Sequence, residues 1–103
     1  VIEIMNMRST KPSQPYDVKI DRSSPLGNSF YMRSEAQRNE VCDQYAGWLI
    51  SQISHKNQKV CIELNRLYEL HRQYEQLRLF CWCAPKRCHG ESIKAALEKV
   101  GCR

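Results

Sequence analysis

The chain has no apolar run approaching the roughly 20 residues needed to span a bilayer. Its first residues, VIEIMNMRSTKP, lack the basic-then-apolar order of a secretory signal. Internal repeats and low-complexity segments are also missing, so neither a repeat array nor a biased disordered tract is expected. These absences point to a cytoplasmic protein without a membrane partner. A second cysteine or histidine pair, separated from the cluster at 81–90, is missing as well, and most zinc knuckles draw their ligands from two such pairs.

What is present suits one compact unit. At 103 residues and 42% apolar composition, the expectation is a single domain over 1–103 with its own core. Sixteen Lys and Arg against eleven Asp and Glu give a formal charge of +5 and a sequence pI of about 9.0. That excess attracts phosphate in any form and does not choose between nucleic acid, a nucleotide and an anionic surface. The charges are dispersed, acids are interleaved through the helical stretches, and no nucleic-acid reading motif occurs, so nucleic acid ranks as a further alternative. Six cysteines in a short chain would suit a disulfide scaffold, but those are loop-rich and secreted, whereas this sequence is largely helical. Reduced thiols are therefore expected, with Cys42 and Cys61 as small apolar groups on helix faces and Cys102 incidental.

The residue pattern reads as strand, strand, helix, helix, strand, helix. Residues 1–7 alternate branched apolar and polar positions before the turn-prone STKPSQP, and YDVKIDR at 16–22 fits a second strand. Ser34 stands as N-cap, with Gln37 at the capping-box position, before a helix whose buried stripe is Val41, Tyr45, Trp48, Leu49 and Ile53. A second helix covers 58–74, LRLFCWC at 77–83 suits a buried strand, and ESIKAALEKV forms a final helix ended by Gly101. The long helical link between the second and third strands allows a right-handed crossover. The expected fold class is a small Rossmann-like α/β domain, two or three layers deep, with a partly parallel sheet and about three helices.

Chemistry concentrates in CWCAPKRCHG at 81–90. In an open α/β sheet, ligands collect where strand ends lead into helix N-termini, and the last helix is expected to begin near His89 or Gly90 with free N–H groups. Three readings compete. A thiolate at Cys88, favoured by the helix dipole and Lys86, or at Cys83, would be a nucleophile with His89 as acid or base. Cys81, Cys83, Cys88 and His89 offer the donor types of a zinc site, although no cofactor is favoured. Alternatively Cys81 and Cys83 share a packed sheet face, Trp82 covers the other, Pro85 shapes the turn and His89 caps the helix. His55 and His71 read as ordinary helical residues. The loop SSPLGN at 23–28 would lie at the end of the second strand, so two loops meeting at one sheet edge can form a pocket.

Two motifs, S-P-L-G-N at 24–28 and C-W-C-A-P-x-x-C-H-G at 81–90, together with Y-D-V-x-I-x-R at 16–22, resemble the small phage and bacterial family labelled domain of unknown function four-three-two-six. The order of parts matches over nearly the whole chain. One departure is Ser29 before Phe30, where members commonly read N-P-F. The resemblance implies a fold and a site, and its label establishes no activity. The resemblance fits a phage origin, and by fold analogy it suggests a nucleotide- or nucleoside-like ligand with transfer or hydrolysis chemistry. The ligand-binding candidates are Arg22, Ser24, Gly27, Asn28, Phe30, Trp82, Lys86, Arg87 and Gly90; the catalytic candidates are Cys83, Cys88 and His89. The alternative is a non-catalytic inhibitor or sequestering protein acting on a host protein, and a homodimer is compatible with either.

Overall fold

The computed structural model describes residues 1–83 and 86–99. Strands β1 (Ile2–Asn6), β2 (Asp17–Lys19) and β3 (Leu77–Cys81) form one sheet in the order β1-β3-β2, with both pairings parallel. A 3-10 turn (Glu35–Gln37) leads into α1 (Arg38–Ser54), followed by α2 (Gln58–Tyr74) and, after β3, α3 (Gly90–Glu98). The mixed α/β class expected from the element pattern is therefore what forms, and among the described residues both strand pairings are parallel.

The period-2 pattern of the strands decides which side is dry. Ile2, Ile4, Val18, Leu77, Leu79 and Cys81 occupy alternate positions and join Tyr45, Leu49, Leu64, Leu67, Ile93 and Leu97 in one apolar cluster. The three helices pack against one another over this face, giving two layers. Helix α2 begins where Asn57 accepts the Val60 N–H, and ends at Glu75 in a left-handed conformation that turns the chain into β3.

On the opposite face, Glu3, Arg78 and Asp17 form one row across the sheet, and Met5, Phe80 and Lys19 the next. Phe80 is fully buried and lies 5.4 Å beneath the Arg78 guanidinium. Arg78 donates twice to Asp17, from Nε and Nη2, both at 2.7 Å. Burial alone would raise the Asp17 pKa, but the Arg78 bond and the N–H groups of Ser13 and Gln14 outweigh it and hold the carboxyl at about 2.

Several expectations shift. The segment at 16–22 forms a strand only over Asp17–Lys19, with the Tyr16 carbonyl and the Ile20 N–H adding one bond to β3 at either end. Ser34 is extended at the helix entrance but its hydroxyl caps nothing; Gln37 Oε1 instead accepts the Arg33 N–H. Trp48 and Ile53 pack against the core only partly buried. β3 stops at Cys81, opposite the last residue of β1, because no neighbouring strand continues the ladder. Cys81 and Cys83 consequently do not share a sheet face, and Trp82 is exposed rather than covering one. Cys61 is disulfide-bonded, against the expectation of reduced thiols throughout, while Cys42, Cys81, Cys83 and Cys88 are thiols. The roles expected of Pro85, Gly101 and Cys102 fall outside the described residues.

A folded-state carboxyl held below its unfolded value stabilises the fold above pH 4, and that contribution disappears as pH falls through the folded value. Asp17 is therefore expected to supply about 2 kcal/mol at neutral pH that is lost between pH 4 and 2. Urea unfolding at pH 7 and pH 3 checks this. Asp17→Asn should be less stable at pH 7 and show a shallower decline on acidification.

Candidate functional site

The carboxyl ends of β2 and β3 open into a cavity of about 510 Å³. Arg22, Asn28 and Phe30 reach it from the first loop, and Trp82, Cys83, Cys88 and His89 from the second. The start of α1 supplies Arg38, Val41 and Cys42. The two loops expected to meet thus do so, at the strand ends where parallel sheets place their ligand sites.

The first loop is built from its own short-range bonds. Asp21 accepts the N–H and the hydroxyl of Ser23, Ser24 Oγ accepts the Leu26 N–H, and Asn28 Oδ1 accepts the Phe30 N–H. Leu26 is fully buried, and its carbonyl receives the Tyr45 hydroxyl at 2.6 Å. Gly27 lies so close to the strand end that a Cβ there would stand 2.3 Å from the Asp21 carbonyl oxygen. Ser24 and Gly27 therefore shape the loop and do not line the cavity.

That scaffold sets Arg22. Its Nε donates to the Asn28 carbonyl at 3.2 Å, and its guanidinium lies 4.3 Å from the centre of the Tyr31 ring. Among the described residues no carboxylate pairs with it. The other guanidinium at the cavity, Arg38, is bound twice by Glu35 and also donates to the Arg87 carbonyl at 2.9 Å. Lys86 pairs with Glu35, and Arg87 pairs with Asp43 and Asn39 outside the cavity lining. Of the cations proposed to meet an anion, Arg22 is the one the cavity presents.

The second loop differs from expectation in its thiol. Cys88 is buried, with its sulfur 3.3 Å from that of Cys81 and accepting the Gly90 N–H at 3.3 Å. The bond with Cys81 and then burial push its pKa up, so the lowering expected from the helix start and Lys86 does not occur. The helix start is also not free. Gly90 N–H is taken by the Cys88 sulfur, Glu91 N–H by the Cys88 carbonyl, and the Glu91 carboxylate accepts the Cys88 N–H. Gly90 lies under Ile20 and Ile4 and does not line the cavity.

His89 is the buried polar residue of the site. Its Nε2 lies 2.6 Å from the Ile20 carbonyl oxygen, which can only accept, so Nε2 carries the proton. Burial lowers its pKa, and the ring is neutral near pH 7 with Nδ1 unprotonated. The Tyr45 ring meets it edge-on at 5.0 Å. Among the described residues, no group of three or more His, Cys, Asp or Glu is arranged to hold a metal ion. Cys81 and Cys88 face each other, and the His89 Nε2 is committed to a carbonyl.

Reasoning from sequence singled out the loops but not Tyr31, Arg38 or Cys42. Glu35 and Arg38 stand three apart, a spacing that signals a helical ion pair, yet nothing in it says that the pair adjoins a cavity. Comparison with known families finds that the model of the family described as Domain of unknown function (DUF4326) matches residues 5–99. No curated protein and no solved structure matches the chain.

Gly27→Ala is expected to destabilise the protein by about 1–3 kcal/mol, since the obstacle is backbone and cannot rotate away. Thermal unfolding checks it; Gly47→Ala, where an added Cβ meets nothing, should leave stability unchanged or raise it.

Proposed function

The chain belongs to this family of unknown function, and we propose that its cavity binds a nucleotide- or nucleoside-like ligand between the S-P-L-G-N and C-W-C loops. The observation that carries the reading is Arg22. A guanidinium held by Asn28 and Tyr31, without a carboxylate partner among the described residues, is preorganised for an anion such as phosphate. Phe30 and Trp82 provide aromatic surface in the same cavity for a planar base. The volume suits a small molecule rather than a polymer.

Exposed aromatics favour a second reading. Tyr31 is 76% and Trp82 54% exposed at the cavity, and such rings are also hot-spot material for a protein partner. On that reading the chain is a non-catalytic inhibitor or sequestering protein.

Titration calorimetry with nucleoside 5′-monophosphates and the matching nucleosides separates the two. The ligand reading expects saturable binding that Arg22→Gln weakens about tenfold or more for the monophosphate and little for the nucleoside. Trp82→Ala should weaken both. No heat with any nucleotide or nucleoside would reject the ligand reading and leave the protein-partner one.

A further inference from the structure

The lining of the cavity divides by depth. Arg22, Tyr31 and Trp82 are exposed and stand at its mouth, whereas Val41, Cys42, Cys81, Cys88 and His89 are buried and form its floor. Most of the floor is apolar or already engaged. Cys81 and Cys88 face each other, Cys88 also holds the Gly90 N–H, and the Cys42 S–H is directed at the Arg87 carbonyl.

One polar group of the floor is left over. His89 is only 8% exposed, its Nε2–H is spent on the Ile20 carbonyl, and its Nδ1 has no hydrogen-bond partner. Among the described residues no fully enclosed side-chain nitrogen or oxygen lacks a partner, so Nδ1 is an atom that the cavity leaves open. The Ile20 bond also fixes its character. A carbonyl can only accept, so the proton sits on Nε2 and Nδ1 offers a lone pair. With Ile20 on one side and the Tyr45 ring edge-on at 5.0 Å, the imidazole is held in place.

An acceptor at the floor and a guanidinium at the mouth ask for a ligand with a donor at one end and an anion at the other. A nucleotide placed base-inward meets both, with its phosphate at Arg22 and the faces of its base against Phe30 and Trp82. The floor also distinguishes bases. Adenine and cytosine carry an amino group on the edge away from the sugar, where hypoxanthine and uracil carry a carbonyl. Nδ1 accepts from an amino group and opposes a carbonyl oxygen, and the buried lining residues hold no uncommitted side-chain N–H to satisfy that oxygen.

We infer that the cavity takes an amino-bearing nucleotide base-inward, the exocyclic amine of adenine or cytosine donating to His89 Nδ1, so that His89 is the residue that selects the base. The inference rests on the reading of the cavity as a nucleotide site and adds to it an orientation and a class of base.

The test is titration calorimetry with two pairs that differ at that edge, adenosine against inosine 5′-monophosphate and cytidine against uridine 5′-monophosphate. The tightest of the four should be an amino member, about tenfold or more above its carbonyl counterpart. A carbonyl member as the tightest, or equal affinities within the tightest pair, overturns the inference. Nitrogen-15 NMR of the three histidines reads the atom itself. The His89 Nδ1 signal should be that of an unprotonated ring nitrogen and should move on addition of the tight amino member; a protonated Nδ1 in the free protein defeats the assignment. His89→Gln supplies an N–H for the Ile20 carbonyl and no acceptor at Nδ1, so it should fold and lose the preference within the pair. A tenfold preference kept by the folded variant speaks against His89, and should the variant not fold, the pairs on the unsubstituted protein decide alone. Binding of none of the four removes the nucleotide reading and this inference with it. Binding that Arg22→Gln weakens, without preference in either pair, leaves the nucleotide reading standing and defeats the inference alone.

Discussion

The bond from His89 Nε2 to the Ile20 carbonyl is the constraint on which the site depends. Ile20 is the last fully buried residue before the first loop, and His89 is the residue from which α3 starts. One hydrogen bond thus ties the exit of the edge strand to the entrance of the last helix. Its net worth as a neutral bond is about 1 kcal/mol, but removing the donor would also leave a carbonyl without its partner at 0% exposed Ile20. Tyr45 extends the tie, meeting His89 with its ring and the Leu26 carbonyl with its hydroxyl. The middle of α1 therefore braces both loops from behind, and the cavity lies in front.

This arrangement explains a division of labour inside each motif. In S-P-L-G-N, Leu26 anchors, Ser24 and Asn28 bond to nearby backbone, and Gly27 permits close approach, so most of the motif serves to hold Arg22 and Phe30 in place. In C-W-C-A-P-x-x-C-H-G, Cys81, Cys88 and Gly90 pack, His89 ties, and Trp82 and Cys83 face the cavity. A motif of ten residues need not be ten contacts to a ligand. Small and polar residues at a strand end are required as much by the tight turn as by anything it binds.

Much of the layout was legible in the sequence because it rests on local periodicity. The boundaries of α2 follow from its apolar spacing and Asn57, and β3 from its short apolar run. The meeting of the two loops followed from strand ends and helix starts. What stayed hidden is set by long-range contact. That Cys88 faces Cys81 rather than solvent depends on where β3 stops, which depends on the length of β1 beside it. That Lys86 and Arg87 are spent on Glu35 and Asp43 depends on how α1 lies across the second loop. The bridged state of Cys61 likewise had no local signal.

Charge gives the last step. A formal +5 suggests a diffuse attraction for anions, yet several of the positive groups beside the cavity are paired with carboxylates. Glu35 answers Arg38 and Lys86, Asp43 answers Arg87, and on the far sheet face Asp17 answers Arg78. Such pairing lowers the local field and fixes the side chains that carry it. Against that background the guanidinium of the cavity lining that has no carboxylate partner among the described residues acquires meaning that net charge lacks. Arg22 is restrained by a carbonyl and an aromatic face, neither of which neutralises it, so its positive charge remains directed into the space between the loops. Selectivity for an anion at this position comes from the pairing of the neighbouring cations as much as from Arg22 itself.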